Sequence, residues 1–157
     1  MQPYHLSAAE KSVYTARIGN ERVEHAFPIN TLKKAGARLA FGSDFPVVPL
    51  NPMLGIFNAV TRTDITMDPE NVWNQDECIT ISETLKAYTN GSAYGSFREH
   101  ELGTLEEGKL ADIAVLDRNL FNIPSEEILS AKVILTMMDG KVIYEKSRTG
   151  AGTILVK

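Results

Sequence analysis

Among the residues able to do chemistry, Asp44 is the most sharply placed. It follows the short, mostly apolar run Ala37-Arg38-Leu39-Ala40-Phe41 through Gly42-Ser43 and is succeeded by Phe45-Pro46. Such a run reads as a buried strand ending in a polar loop. A carboxylate at the C-terminal end of a parallel strand points into the mouth of an α/β layer, where metal ligands and general bases are placed. A turn or helix-cap aspartate is the ordinary alternative, and pattern alone favours it.

The three histidines are His5, His25 and His100. None forms the His-x-x-x-His of a helix or the His-x-His of a strand that would present two imidazoles to one ion. His5, after Gln2-Pro3-Tyr4, sits near a possible strand end and can face the same mouth as Asp44. His25 lies in the charged stretch Glu21-Arg22-Val23-Glu24-His25 and reads as structural or exposed, and His100, between Glu99 and Glu101, as solvated. Cys78 has no basic neighbour in sequence to depress its pKa, so an inert, buried thiol is expected. No phosphate loop, Gly-x-Ser-x-Gly elbow or Gly-x-Gly-x-x-Gly is present, which disfavours nucleotide binding.

The elements that must position these residues are legible in part. Ser7 and Glu10 have capping-box spacing, so a helix is expected over 8–17, broken at Gly19-Asn20. Pro28 opens a helix that ends at Gly36, followed by the strand 37–41. Asn51-Pro52 caps and opens a helix over 52–62, which Gly55 weakens. Residues 63–79 show no periodicity. Thr80-Ile81-Ser82-Glu83 is a second capping box, and helix 82–89 should end at Asn90-Gly91, with a helical turn from Ser92 to Phe97. Strands are expected at 102–105 and 111–116 around the turn 106–109, then a Ser125-capped turn of helix. A hairpin of 132–138 and 141–144 through Asp139-Gly140 completes the pattern.

The chain has 157 residues, 43% hydrophobic and 23% charged, with a net charge of −4. That suits one ordinary domain or two small pieces, and a complete (β/α)8 barrel needs about 200 residues or more. The charge gives no case for a nucleic-acid partner. No apolar run approaches the roughly 20 residues of a membrane helix, and the N-terminus lacks the basic and apolar stretches of a signal peptide. One cysteine cannot close an internal disulfide, and a reducing, cytoplasmic setting is the default.

Four motifs, taken together, resemble a known family: Gln2-Pro3-Tyr4-His5, Ala37–Val47, Ala59-Val60-Thr61-Arg62 and Leu102–Asp112. The chain is similar to the C-terminal portion of a metal-dependent amidohydrolase, in the branch that includes N-substituted formamide deformylases. The resemblance implies an α/β fold, namely the last strands and helices of an incomplete (β/α)8 barrel plus the C-terminal half of a small β-domain. Residues 1–98 would be the barrel segment, with Met1–His5 near strand seven and Ala37–Asp44 as strand eight, residues 99–146 the β-domain segment, and 147–157 a tail. Asp44 matches the aspartate that in the family binds the metal and takes a proton from the attacking water. His5 matches a histidine expected on the substrate side. The family's strand-one His-x-His, its bridging residue and its strand-five and strand-six histidines have no counterpart in this chain. Val23-Glu24-His25-Ala26 imitates the strand-six motif but stands too close to Asp44 for that role. The resemblance therefore implies a divalent metal, with zinc the expected ion, and a small-molecule substrate in the complete enzyme. It also implies no metal bound by this chain alone, and association as a homo-oligomer or with a missing N-terminal half. A non-enzymatic, self-associating structural or binding module is the competing expectation.

Overall fold

A computed structural model describes residues 1–146; the expected tail, 147–157, lies outside the described residues. Local signals place most of the helices. Helix α1 (Ala8–Ile18) starts where the Ser7 hydroxyl accepts the Glu10 amide at 3.3 Å, and it ends at Gly19, whose φ is 82°. The short α2 (Asn20–Val23) follows at once. Helix α3 (Ile29–Lys34) begins after Pro28 and stops short of Gly36, at φ 87°. At the head of α4 (Pro52–Thr61) the Asn51 side chain accepts the Met53 amide at 3.1 Å, and a full capping box between Thr80 and Glu83 opens α5 (Ile81–Lys86). Each cap satisfies a backbone amide that a helix start leaves bare.

A three-stranded antiparallel sheet runs in the order β1 (Ile113–Leu116), β2 (Val133–Met138), β3 (Lys141–Glu145). Ala114 stands opposite Thr136, and Thr136 opposite Tyr144. Asp139 and Gly140 join β2 to β3 with φ of 48° and 72°. Two positive φ values in a two-residue loop give the twist that hairpin strands need. None of the strand residues is fully buried.

Two apolar clusters carry the packing. Leu6, Val23, Ile29, Phe41, Ala59, Trp73, Ile79 and Ala87 form one, with Phe27 edge-on to Trp73 and Tyr14 tilted against it. Met53, Ile56 and Phe57 of α4 form the other with Leu120, Ile128 and Ala131. Gly55 serves this arrangement, because a Cβ there would collide with the Tyr88 hydroxyl. Among the described residues no helix is long and apolar enough to cross a membrane.

Several sequence expectations are corrected. Residues 37–41 belong to no sheet. The Ala37 amide turns back to the Leu32 carbonyl at 3.0 Å, and further on the Met1 amine donates to the Ala40 carbonyl at 2.7 Å and the Gly42 amide to the Met1 carbonyl at 3.2 Å. A strand exists only as far as its ladder does. Helix α5 does not end at Asn90-Gly91 but passes through a π-turn (Ala87–Gly91) into α6 (Ser92–Gly95). Gly91 here makes room for a neighbouring backbone, since a Cβ would strike the Leu39 carbonyl. Residues 102–105 do not pair with 111–116. Gly103, at φ 92°, instead lies so close to the π-turn and α6 that a Cβ would come within 2.8 Å of Ala93 and Asn90, and β1 takes β2 as its neighbour. Ser125 is the first residue of a 3-10 turn, Ser125–Ser130, and does not cap it.

Candidate functional site

The structure brings His5 and Asp44 together. His5 ends a 3-10 turn, Pro3–His5, directly after the Met1 contact with residues 40–42. Asp44 leaves that same segment in the left-handed region, at φ 64°, and its carbonyl accepts the Val47 amide at 2.8 Å. Aspartate tolerates this conformation better than bulkier residues do, and such backbone concentrates at functional sites. The His5 Nε2 lies 3.5 Å from the Asp44 Oδ2. That is ion-pair range, yet Nε2 is buried and makes no hydrogen bond among the described residues. The imidazole is 17% exposed and the carboxylate 46%, so the pair has a shielded side and an open side. Phe45, Val47 and Leu50, all well exposed, follow Asp44 in the chain.

The other candidates stand apart. His25 is exposed, beside a cleft of about 660 Å³ that Lys11, Glu24, Trp73 and Asp76 also line, and His100 is exposed as expected. Neither joins Asp44. Cys78 is half-buried, and burial pushes its thiol up in pKa against the opposing pull of Arg62. Nothing there makes a nucleophile.

Sequence reasoning missed Arg62. It terminates α4 at φ 57° and is fully buried, donating from Nε to the Trp73 carbonyl at 2.7 Å and from its terminal nitrogens to Phe27 at 3.0 Å and Ala26 at 3.4 Å. Burial pulls its pKa down to about 10, partly offset by Cys78 and Glu77. Burial would raise Glu77, but the Thr31 hydroxyl and amide hold it below the usual carboxylate range. An arginine at a helix C-terminus ordinarily reads as a solvated partner of the helix dipole, so local sequence hides this role. The motif Leu102–Asp112 is likewise a joint: Lys109 donates to the Glu99 carbonyl at 2.8 Å and to Thr104 Oγ1 at 2.6 Å, and Asp112 accepts the Asp139 amide at 2.8 Å.

A family model described as "Amidohydrolase family" matches residues 1–144. The chain belongs to the amidohydrolase family. It is 37% identical over 145 residues to LONG AFTER FAR-RED 3 of Arabidopsis thaliana, covering 92% of this chain and 24% of that protein. To the N-substituted formamide deformylase of Arthrobacter pascens it is 35% identical over 133 residues, covering 83% and 24%. The crystal structure of an uncharacterized metal-dependent hydrolase from Pyrococcus horikoshii OT3 superposes with a TM-score of 0.68 at 30% identity, over 80% of this chain and 25% of that one. The chain thus spans about a quarter of the length of the curated relatives it matches. The metal of such hydrolases does not fit these residues alone. A catalytic zinc takes about three protein ligands, whereas among the described residues Asp44 has His5 as its one ion-pair partner. Among the described residues no group of three or more His, Cys, Asp or Glu could hold an ion.

Proposed function

We propose that this amidohydrolase chain is the C-terminal portion of a metal-dependent hydrolase of C–N bonds in small, non-peptide amides. The observation that carries the reading is the juxtaposition of His5 and Asp44, two residues distant in sequence that the family resemblance separately marks as site groups. The name of the Arthrobacter relative supports the substrate class. Asp44 takes a proton from the attacking water as the water oxygen bonds to the carbonyl carbon. The same proton reaches the leaving nitrogen as the C–N bond breaks. His5 faces the substrate. The divalent metal of the complete enzyme, zinc by expectation, requires ligands from outside these residues, so the chain alone is inactive and holds no tight metal. Residues 1–98 form the barrel segment of this proposal and 99–146 the β-domain segment, in a cytoplasmic protein that binds neither nucleic acid nor membrane.

Metal analysis and amidase assay of the purified chain test the proposal. One tightly held zinc per chain, lost together with turnover in Asp44→Ala, would overturn the inactivity. In a complete enzyme Asp44→Asn should cost at least about the 10²–10⁴-fold typical of lost acid–base catalysis while folding survives. Near-normal turnover with Asn at that position would remove Asp44 from its role.

The sheet favours a second element of the reading, association. Val115, Val142 and Ile143 remain about 40% exposed on strands with no fully buried residue. Open strand edges and apolar faces of this kind seek partners. A homo-oligomer, or a complex with an N-terminal half, would cover them. A compact monomer in light scattering at micromolar concentration would argue against the homo-oligomer.

A further inference from the structure

Residues 40–42 are clamped from two sides. The Ala40 carbonyl and the Gly42 amide both bond to Met1, the pattern of one residue pair in a parallel ladder. Both polar groups of the intervening Phe41 are therefore sent the other way. What stands there is a helix in place of a second strand. The Phe41 amide donates to the Ala87 carbonyl at 3.0 Å, and the Phe41 carbonyl accepts the Ser92 hydroxyl at 2.6 Å. These partners sit at the start of the π-turn and directly after it. Such turns loosen the helical ladder and recur at functional sites. Gly91 permits the approach. The Ser92 proton has one other acceptor, the Ala87 carbonyl at 3.0 Å, and the shorter contact to Phe41 takes precedence.

Met1 and the clamped Phe41 each lead to one member of the candidate site. Met1 runs into the turn that ends at His5, and Phe41 runs three residues on to Asp44. The register of Met1 against Phe41 thus sets how the imidazole and the carboxylate meet. Resting on the reading of Asp44 as the site carboxylate, we infer that Ser92 is a positioning residue for Asp44, acting through the Phe41 carbonyl. Without its hydroxyl, that carbonyl loses its donor and the register loses one of its two supports.

The test uses NMR on the full chain, with Ser92→Ala and Ser92→Thr beside the parent. Two signals are read: hydrogen exchange at the Phe41 amide, and the nuclear Overhauser contact between the His5 ring and the Asp44 β-protons. Ser92→Ala should speed exchange by about tenfold, the order of one lost hydrogen bond, and weaken the His5–Asp44 contact, whereas Ser92→Thr retains both. An unchanged His5–Asp44 contact in Ser92→Ala would overturn the inference even if exchange accelerates, because Ser92 would then steady Phe41 alone. Failure of Thr to rescue would overturn it as well. Should Ser92→Ala not fold, Ser92→Cys, close in size but a weak donor, makes the same comparison. These signals report geometry and not turnover, so an error in the functional reading would appear separately, in the Asp44→Asn assay.

Discussion

Removing Arg62 should destabilise the chain by an amount that its surroundings allow one to work out. Its Nε and one terminal nitrogen make well-formed bonds to the Trp73 and Phe27 carbonyls, at 2.7 and 3.0 Å, and the 3.4 Å bond to Ala26 is weak. In Arg62→Ala the Trp73 carbonyl is left without a donor in a closed space, costing about 1–3 kcal/mol, while the Phe27 carbonyl keeps the Ile29 amide at 2.8 Å. The vacated volume adds about 2–4 kcal/mol, by analogy with large-to-small core changes. Against this, burial has pulled the guanidinium well down, to about 10. That is roughly 3 kcal/mol of unfavourable charge burial, which the substitution relieves. The net loss is about 2 kcal/mol. Arg62→Met fills most of the space and removes the charge but leaves the Trp73 carbonyl bare, so it should stay within about 1 kcal/mol of the parent. Urea unfolding followed by fluorescence of Trp73, the single tryptophan and itself one of the acceptors, reads both variants. An Arg62→Ala chain within about 0.5 kcal/mol of the parent, the range of an ordinary surface change, would refute the reasoning, and so would a Met variant less stable than the Ala variant.

Other consequences can be checked on the same chain. Glu83 is held down at about pKa 2, first by the hydrogen bond from Lys33 and then by the Thr80 amide. A depressed carboxylate contributes stability above its unfolded pKa and loses it as pH falls through the folded one. Thermal unfolding should therefore show the parent losing an advantage of about 1 kcal/mol over Glu83→Gln between pH 4.5 and pH 2, the size being limited by partial exposure of the pair. An advantage that persists at pH 2 would contradict the assignment. Gly91→Ala sets a methyl against the Leu39 backbone and should cost about 1–3 kcal/mol, whereas Gly55→Ala meets the movable end of Tyr88 and should cost less. Equal melting temperatures for the two variants would mean that the α5–α6 helix has room to shift away from residues 39–41.

Features whose partners lie within a few residues were written in the sequence. Ser7 with Glu10, Asn51 with Met53 and Thr80 with Glu83 cap their helices as their spacing requires, and Asp139-Gly140 makes its hairpin turn, because donor, acceptor and backbone preference all lie in one short stretch. The motif around Asp44, with His5 and the joint at Lys109, was enough to name the family. What the tertiary structure decided is everything that needed a partner from far away. Residues 37–41 have the composition of a strand, but a strand requires neighbours, and Phe41 finds Ala87 and Ser92 where a second ladder would run. Asn90-Gly91 has the composition of a helix stop, yet the glycine is spent on the approach to Leu39 and the helix continues. Leu102–Leu105 reads as a strand beside the turn 106–109, and its backbone lies against α6 instead. Arg62 carries no local sign of burial, since the three carbonyls that hold it come from Ala26, Phe27 and Trp73. Local hydrogen bonds form wherever the residues are right, whereas burial and strand pairing depend on which surfaces the rest of the chain presents.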